Sequence, residues 1–220
     1  MAIRLKHLKH WCLGRILAAV AATLLLTAPA SEAGAVTGSR EQLIPILGVT
    51  MGNTPEGTVA YLHLSFEERP DRNGLVMRFM NKPGRFSRMA QTAVEQAVYR
   101  VAQHLNLSTD SWTVVLTVPY EGITVYGDSL SAMVALSVAA MANGKFIAPD
   151  RVMTGTVRPD GHIGAVTAVP LKVEAAYEAH LHRVIVPEEL DISDPDWRTP
   201  FLLQVSPVGS VKQAYAALTN

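Results

Sequence analysis

The chain has 220 residues, which is enough for one ordinary domain with a short leader and too few for two large domains. Hydrophobic residues make up 49% of it, so the chain can build a sizeable core. Its formal net charge is zero, which removes the electrostatic argument for a nucleic acid or a strongly acidic partner.

The first 35 residues have the composition of a secretory signal. Basic residues at the start precede an uncharged, mostly apolar run at 16–28, and small residues suited to cleavage follow at Ala30, Ala33 and Ala35. This order predicts a signal peptide over 1–35 and a mature domain over 36–220 in the periplasm or outside the cell. An uncleaved signal that anchors the chain in the membrane is the alternative. Cys12 lies in the leader, so the mature domain would contain no cysteine.

From about residue 43 the pattern predicts one α/β (α+β) unit with mixed sheets and packed helices. Alternating or β-branched stretches predict strands at Leu43–Thr50, Thr58–Phe66, Leu75–Met80, Trp112–Val118, Arg151–Val157, His162–Thr167, His182–Val186 and Phe201–Val205. Helical spacing and caps predict helices at Phe86–Leu105, Ser129–Asn143, Pro170–Ala179 and Ser210–Leu218. We find no internal repeat or interdomain linker.

The stretch Gly127-Asp128-Ser129-Leu130 spells the four-letter signature of a large group of lipases and esterases. Those enzymes need a histidine base near the C-terminus in an Asp-x-x-His motif, and the last histidine here, His182, lies in no such motif. The related G-x-S-x-G pattern also fails, because Ser131 stands at the second glycine. The esterase interpretation is therefore disfavoured, and Ser129 needs another base.

Candidate bases are five histidines and four lysines after residue 35. The histidines, at 63, 104, 162, 180 and 182, all fall at strand faces, turns or helix ends typical of solvated side chains. Of the lysines, only Lys172 has apolar neighbours throughout, and burial lowers the pKa of a lysine towards the range in which it acts as a base. No histidine or glutamate spacing indicates a metal, and no cofactor motif is present.

Three segments in order resemble the proteolytic domain of the Lon proteases, which are Ser/Lys peptidases. They are Gly127-Asp128-Ser129-Leu130-Ser131, Val152-Met153-Thr154-Gly155 and Leu171-Lys172-Val173-Glu174-Ala175-Ala176. The resemblance covers about residues 45–220 and implies the compact fold of that domain. It implies that Ser129 is the nucleophile and Lys172 its base. We expect Thr154 to hydrogen-bond the neutral amine, and the amides of Ser129 and Asp128 or a neighbour, at a helix start, to bind the oxyanion. The Asp128 side chain could instead cap the helix or hold Lys172 in an inactive ion pair.

The resemblance also implies a polypeptide substrate and a possible homo-oligomer. The chain departs from the family at three places: Tyr126 and Thr156 stand where the family has acidic residues, and Thr167-Ala168 stands where it usually has Gly-Gly. The chain also contains no P-loop and so no ATPase motor. We therefore expect an exported, ATP-independent Lon-like endopeptidase. Two alternatives stay open, namely an inactive binding or assembly protein with this fold and a self-processing protease that cuts only its own chain or one partner.

Overall fold

The computed structural model describes residues 39–189, 191–194 and 198–220. The predicted signal peptide at 1–35 lies outside them, so that assignment stays a prediction. The elements are β1 (Arg40–Val49), β2 (Gly57–Glu68), β3 (Val76–Phe79), β4 (Arg85–Phe86), α1 (Arg88–His104), β5 (Trp112–Thr117), β6 (Thr124–Val125), α2 (Ser131–Ala142), β7 (Arg151–Met153), β8 (Thr156–Val157), β9 (Ile163–Gly164), α3 (Val169–Glu178), β10 (Arg183–Pro187), β11 (Gln204–Val208) and α4 (Val211–Thr219). This mixture of sheets and helices confirms the predicted α/β (α+β) class.

The largest sheet has the strand order β1-β2-β5-β3. β1 and β2 form an antiparallel hairpin, β5 joins β2 antiparallel, and β3 joins β5 in parallel. Along β2 the side chains of Leu62, Leu64 and Phe66 alternate with less buried residues and point into the core. Phe66 meets Trp112 of β5 edge to face at 5.5 Å between ring centroids, which fixes the packing of these two strands.

Helix α2 lies in the middle of the main core. Eleven of its residues are buried, because its sequence is built from small and apolar side chains on every face. Helices α1 and α4 and strands of the large sheet pack around it. Its one buried mid-helix hydroxyl, on Ser137, donates to the Met133 carbonyl at 2.8 Å and so leaves no polar group unsatisfied. The turn that precedes α2 therefore rests on a densely packed helix.

A second, smaller core lies around α3. The parallel sheet β11-β10-β7 forms one side, and strands β1 and β2 pack on the same helix. Val169, Val173 and Ala176 of α3 are buried here against residues such as Leu47 and Val184. Helix α3 is thus held between the two sheets, and its position depends on both.

Several boundaries differ from the sequence prediction. The strand predicted at Arg151–Val157 is split into β7 and β8, because the backbone of Gly155 leaves the sheet to bond the turn before α2. The last strand is Gln204–Val208 instead of Phe201–Val205. The two-residue strands β4 and β6, which pair in parallel, were missed. Within the described residues no helix has the length and apolar character needed to cross a membrane.

Candidate active site

Ser129 lies in a tight turn between β6 and α2. Gly127 begins the turn with φ +83°, a left-handed conformation that glycine adopts without steric cost. The Ser131 N–H then bonds the Asp128 carbonyl at 2.9 Å, and Leu130 anchors the turn in the core. Ser129 itself is half-buried. The turn therefore presents a serine at the edge of the core, two residues before the helix begins.

The helix start differs from the expectation in two ways. α2 begins at Ser131, not at Ser129, and Leu130 is the N-cap residue. The structure shows no side-chain hydrogen bond at this end, so it does not give the Asp128 side chain the capping role expected from the sequence. The side chain of Asp128 is exposed instead. Its carboxylate can therefore act on the site through its charge and not through a cap.

The turn that carries the serine has backbone N–H groups that could serve as hydrogen-bond donors. Within the described residues, the N–H groups of Asp128, Ser129 and Leu130 donate no hydrogen bond. Unengaged amides beside a serine are the arrangement that stabilises the oxyanion of a tetrahedral intermediate. The turn thus has donors available for the role that the sequence suggested for Asp128 and Ser129.

The peptide at Gly155 clamps this turn from the other side. Its N–H donates to the Ser129 carbonyl at 2.8 Å, and its own carbonyl accepts the Ala132 N–H at 3.1 Å. The fully buried Thr154 hydroxyl also donates to the Ser129 carbonyl, at a longer 3.5 Å. Thr154 therefore contacts the serine backbone, whereas the sequence suggested a bond to the Lys172 amine. The structure does bring Ser129 and Thr154 together.

Lys172 lies on α3 and is only 4% exposed. Burial lowers the pKa of its amine from 10.5 to about 8, and the charges of Asp194 and Asp128 act in the opposite direction. Asp128 belongs to the turn that carries Ser129. No hydrogen bond or salt bridge engages the amine within the described residues, and none joins it to the Ser129 hydroxyl.

Sequence reasoning missed Asp194, which follows β10 in a loop. Its carboxylate accepts the N–H groups of Ala168 and Val169, at 2.8 Å and 2.9 Å, where α3 begins. No spacing rule connects this loop to a helix more than twenty residues earlier. A run of acidic residues after a predicted strand is the only signal, and such runs are usually solvated.

The histidines lie elsewhere. His63, His162 and His182 pair with the nearby carboxylates of Glu41, Asp160 and Asp150, respectively. His104 contacts the Pro159 carbonyl at 3.1 Å, in a pocket of about 120 Å³ that includes neither Ser129 nor Lys172. Among the described residues no group of three histidine, cysteine or acidic side chains could hold a metal ion. These four histidines thus contact groups other than the Ser129 turn.

Comparison with known proteins gives one partial match. No protein-family model matches the chain. The chain is similar to a protein named Archaeal Lon protease from Thermoplasma acidophilum, with 34% identity over 113 residues. The aligned region is 50% of this chain and 17% of that protein, so the chain spans only a small part of its relative's length. Half of this chain thus resembles a Lon-type protease.

Proposed function

We propose that the chain is a Lon-like serine endopeptidase that uses a Ser129–Lys172 dyad and needs no cofactor. The observation that carries the proposal is a lysine only 4% exposed, whose pKa burial lowers to about 8, together with backbone amides in the Ser129 turn that donate no hydrogen bond within the described residues. A lysine with an ordinary pKa would be almost fully protonated near neutral pH and could not accept a proton. The similarity to a Lon protease supports the same chemistry.

In the proposed reaction the Ser129 hydroxyl attacks the scissile carbonyl while the neutral Lys172 amine takes its proton. The amides of Asp128, Ser129 or Leu130 stabilise the resulting oxyanion. Lys172 then returns the proton to the departing amine, and water releases the acyl group by the same route in reverse. General-base catalysis of this kind contributes about 10²- to 10⁴-fold to the rate.

A fluorophosphonate probe, which reacts with activated serines, tests the nucleophile. We expect the wild-type chain to be labelled on the peptide that contains Ser129, and Ser129→Ala to remain unlabelled and unable to cleave a disordered polypeptide. Ser131→Ala is the matched control, because Ser131 is buried inside the core and should not be needed. Labelling of Ser129→Ala, or loss of labelling only in Ser131→Ala, would contradict the proposal.

An inactive binding or assembly protein is the second candidate, and two departures favour it. Tyr126 replaces an acidic residue and is 64% exposed beside the turn, and Thr167-Ala168 replaces Gly-Gly before the lysine helix. Wild-type protein that binds unfolded polypeptide tightly but neither cleaves it nor reacts with the probe would establish this function instead.

Export is part of the proposal as well. The leader at 1–35 predicts a mature N-terminus just after Ala30, Ala33 or Ala35 and a protein outside the cytoplasm. Intact-mass measurement on protein recovered from the cells that make it tests this prediction. A mass that includes Met1 would indicate a retained signal anchor.

A further inference from the structure

The start of α3 has an unusual backbone. Ala168, the N-cap residue, has φ 57° and ψ 35°, which is the left-handed region. For a residue with a side chain this conformation is strained, and glycine avoids most of that strain. No side chain of α3 caps its first turn. Something outside the helix must therefore hold this strained start in place.

Asp194 does so with both carboxylate oxygens. Oδ1 accepts the Ala168 N–H at 2.8 Å and Oδ2 accepts the Val169 N–H at 2.9 Å. These are charge-assisted bonds to the positive end of a helix dipole, so each is stronger than a neutral hydrogen bond. The next turn of the same helix carries Lys172, whose backbone N–H bonds the Ala168 carbonyl at 3.2 Å.

The same carboxylate also acts on the lysine through space. Asp194 and Asp128 are the charged groups that act on the Lys172 amine. Strands β1, β2 and β10 pack on α3, and none of their charged side chains in the described residues contributes to that effect. On α3 itself, Glu174 and Glu178 are exposed and do not contribute either. One side chain thus influences both where the lysine lies and whether it is charged.

We propose that Asp194 is the positioning residue of the Lys172 base: its two hydrogen bonds hold the left-handed start of α3 and so fix the first turns of the helix that carries the lysine. This inference rests on the proposed function for its catalytic meaning. It also accounts for Ala168 at a place where glycine would be expected, because two strong hydrogen bonds offset the strain that alanine brings.

The test uses Asp194→Asn, which removes the charge and keeps one acceptor, and Asp194→Ala, which removes both. Asp191→Asn is the matched control, since Asp191 lies in the same loop but its carboxylate accepts hydrogen bonds from Ser193 and, among the described residues, does not bond the start of α3. Two readouts need no peptidase activity. One is the NMR titration of the Lys172 ε-carbon in the full chain, assigned with Lys172→Met among six lysines. The other is hydrogen exchange of the Ala168 and Val169 amides.

We expect the Lys172 midpoint to move down by about one pH unit in both Asp194 variants and to stay unchanged in Asp191→Asn. In Asp194→Ala the two amides should exchange at least about tenfold faster while the far-ultraviolet circular dichroism stays native. Unchanged midpoint and exchange in Asp194→Ala would overturn the inference. Adding Ala168→Gly should partly restore slow exchange, and failure to do so would contradict the strain argument.

Peptidase measurements then distinguish a failure of this inference from a failure of the proposed function. If the chain is a peptidase, Asp194→Ala should lower kcat at least tenfold at high pH with little change in KM, because the base and not substrate binding is displaced. An unchanged kcat would overturn the positioning role. A wild-type chain without activity would instead overturn the proposed function, while the titration and exchange results would still decide the role of Asp194.

Discussion

Gly57 on β2 lies directly against the Leu171 carbonyl of α3, the residue before Lys172. A Cβ at position 57 would stand 1.9 Å from that oxygen, which no side chain tolerates. We therefore predict that Gly57→Ala pushes α3 away, destabilises the fold by about 1–3 kcal/mol and abolishes peptidase activity. Urea unfolding and cleavage of a disordered polypeptide measure the two effects.

Gly48→Ala provides the control for this substitution. Gly48 lies in the same hairpin, and its Cβ would meet only the Thr58 methyl at an ordinary 3.5 Å. It should keep most of the stability and activity. If Gly57→Ala and Gly48→Ala behave alike, the close approach of β2 to α3 does not position the lysine.

The pH dependence of activity should follow Lys172. The lysine acts as a base only when neutral, and its pKa is lowered to about 8, so kcat should rise with pH and reach half its maximum near that value.

Lys172→Arg should be inactive at every pH, because guanidinium does not deprotonate. Lys145→Arg is the control, since the Lys145 amine lies over the Tyr215 ring, away from the site. A midpoint near 6.5 that one histidine substitution removes would contradict this prediction.

The same residue should make stability depend on pH. The pKa of Lys172 is lowered in the folded state from 10.5 to about 8, so between these values the unfolded chain binds more protons. The free energy of unfolding should therefore rise by about 3 kcal/mol from this group as pH increases from about 8 to 10.5, and this contribution should be constant below about pH 8, where both states bind the proton. Below pH 8 the folded protein buries a charged lysine.

Lys172→Met tests this linkage without an activity assay. Methionine fills similar space without a charge, so the variant should be more stable than wild type at pH 7, and the difference should shrink towards pH 10.5. Chemical unfolding at both pH values, with Lys145→Met as control, gives the comparison. A variant that is less stable at pH 7 would show that burial of the charged amine is not costly here.

Local sequence patterns were enough to predict the helices and strands that carry the candidate site. The alternation of β2 and the apolar sequence of α2 are local signals of burial, and the apolar neighbours of Lys172 correctly predicted that its side chain is buried. Asp194 and Gly57 could not be found this way, because their roles depend on contacts between segments distant in the chain. The same holds for β6, whose two residues form a strand only through pairing with β4.

The last prediction concerns the state of the substrate. The proposed function includes ATP independence, which was expected because the sequence shows no P-loop. On that proposal Ser129 should attack only segments that are already extended. A stable domain opens globally at populations of about 10⁻³ to 10⁻⁶, so its cleavage should be slow and should follow that population.

The test compares two variants of one small substrate domain whose unfolding free energies differ by about 1.4 kcal/mol. Their cleavage rates should differ about tenfold, and a disordered polypeptide should be cut fastest. Adding ATP should change none of these rates. Equal cleavage of the two variants, or stimulation by ATP, would show that the proposed enzyme works in another way.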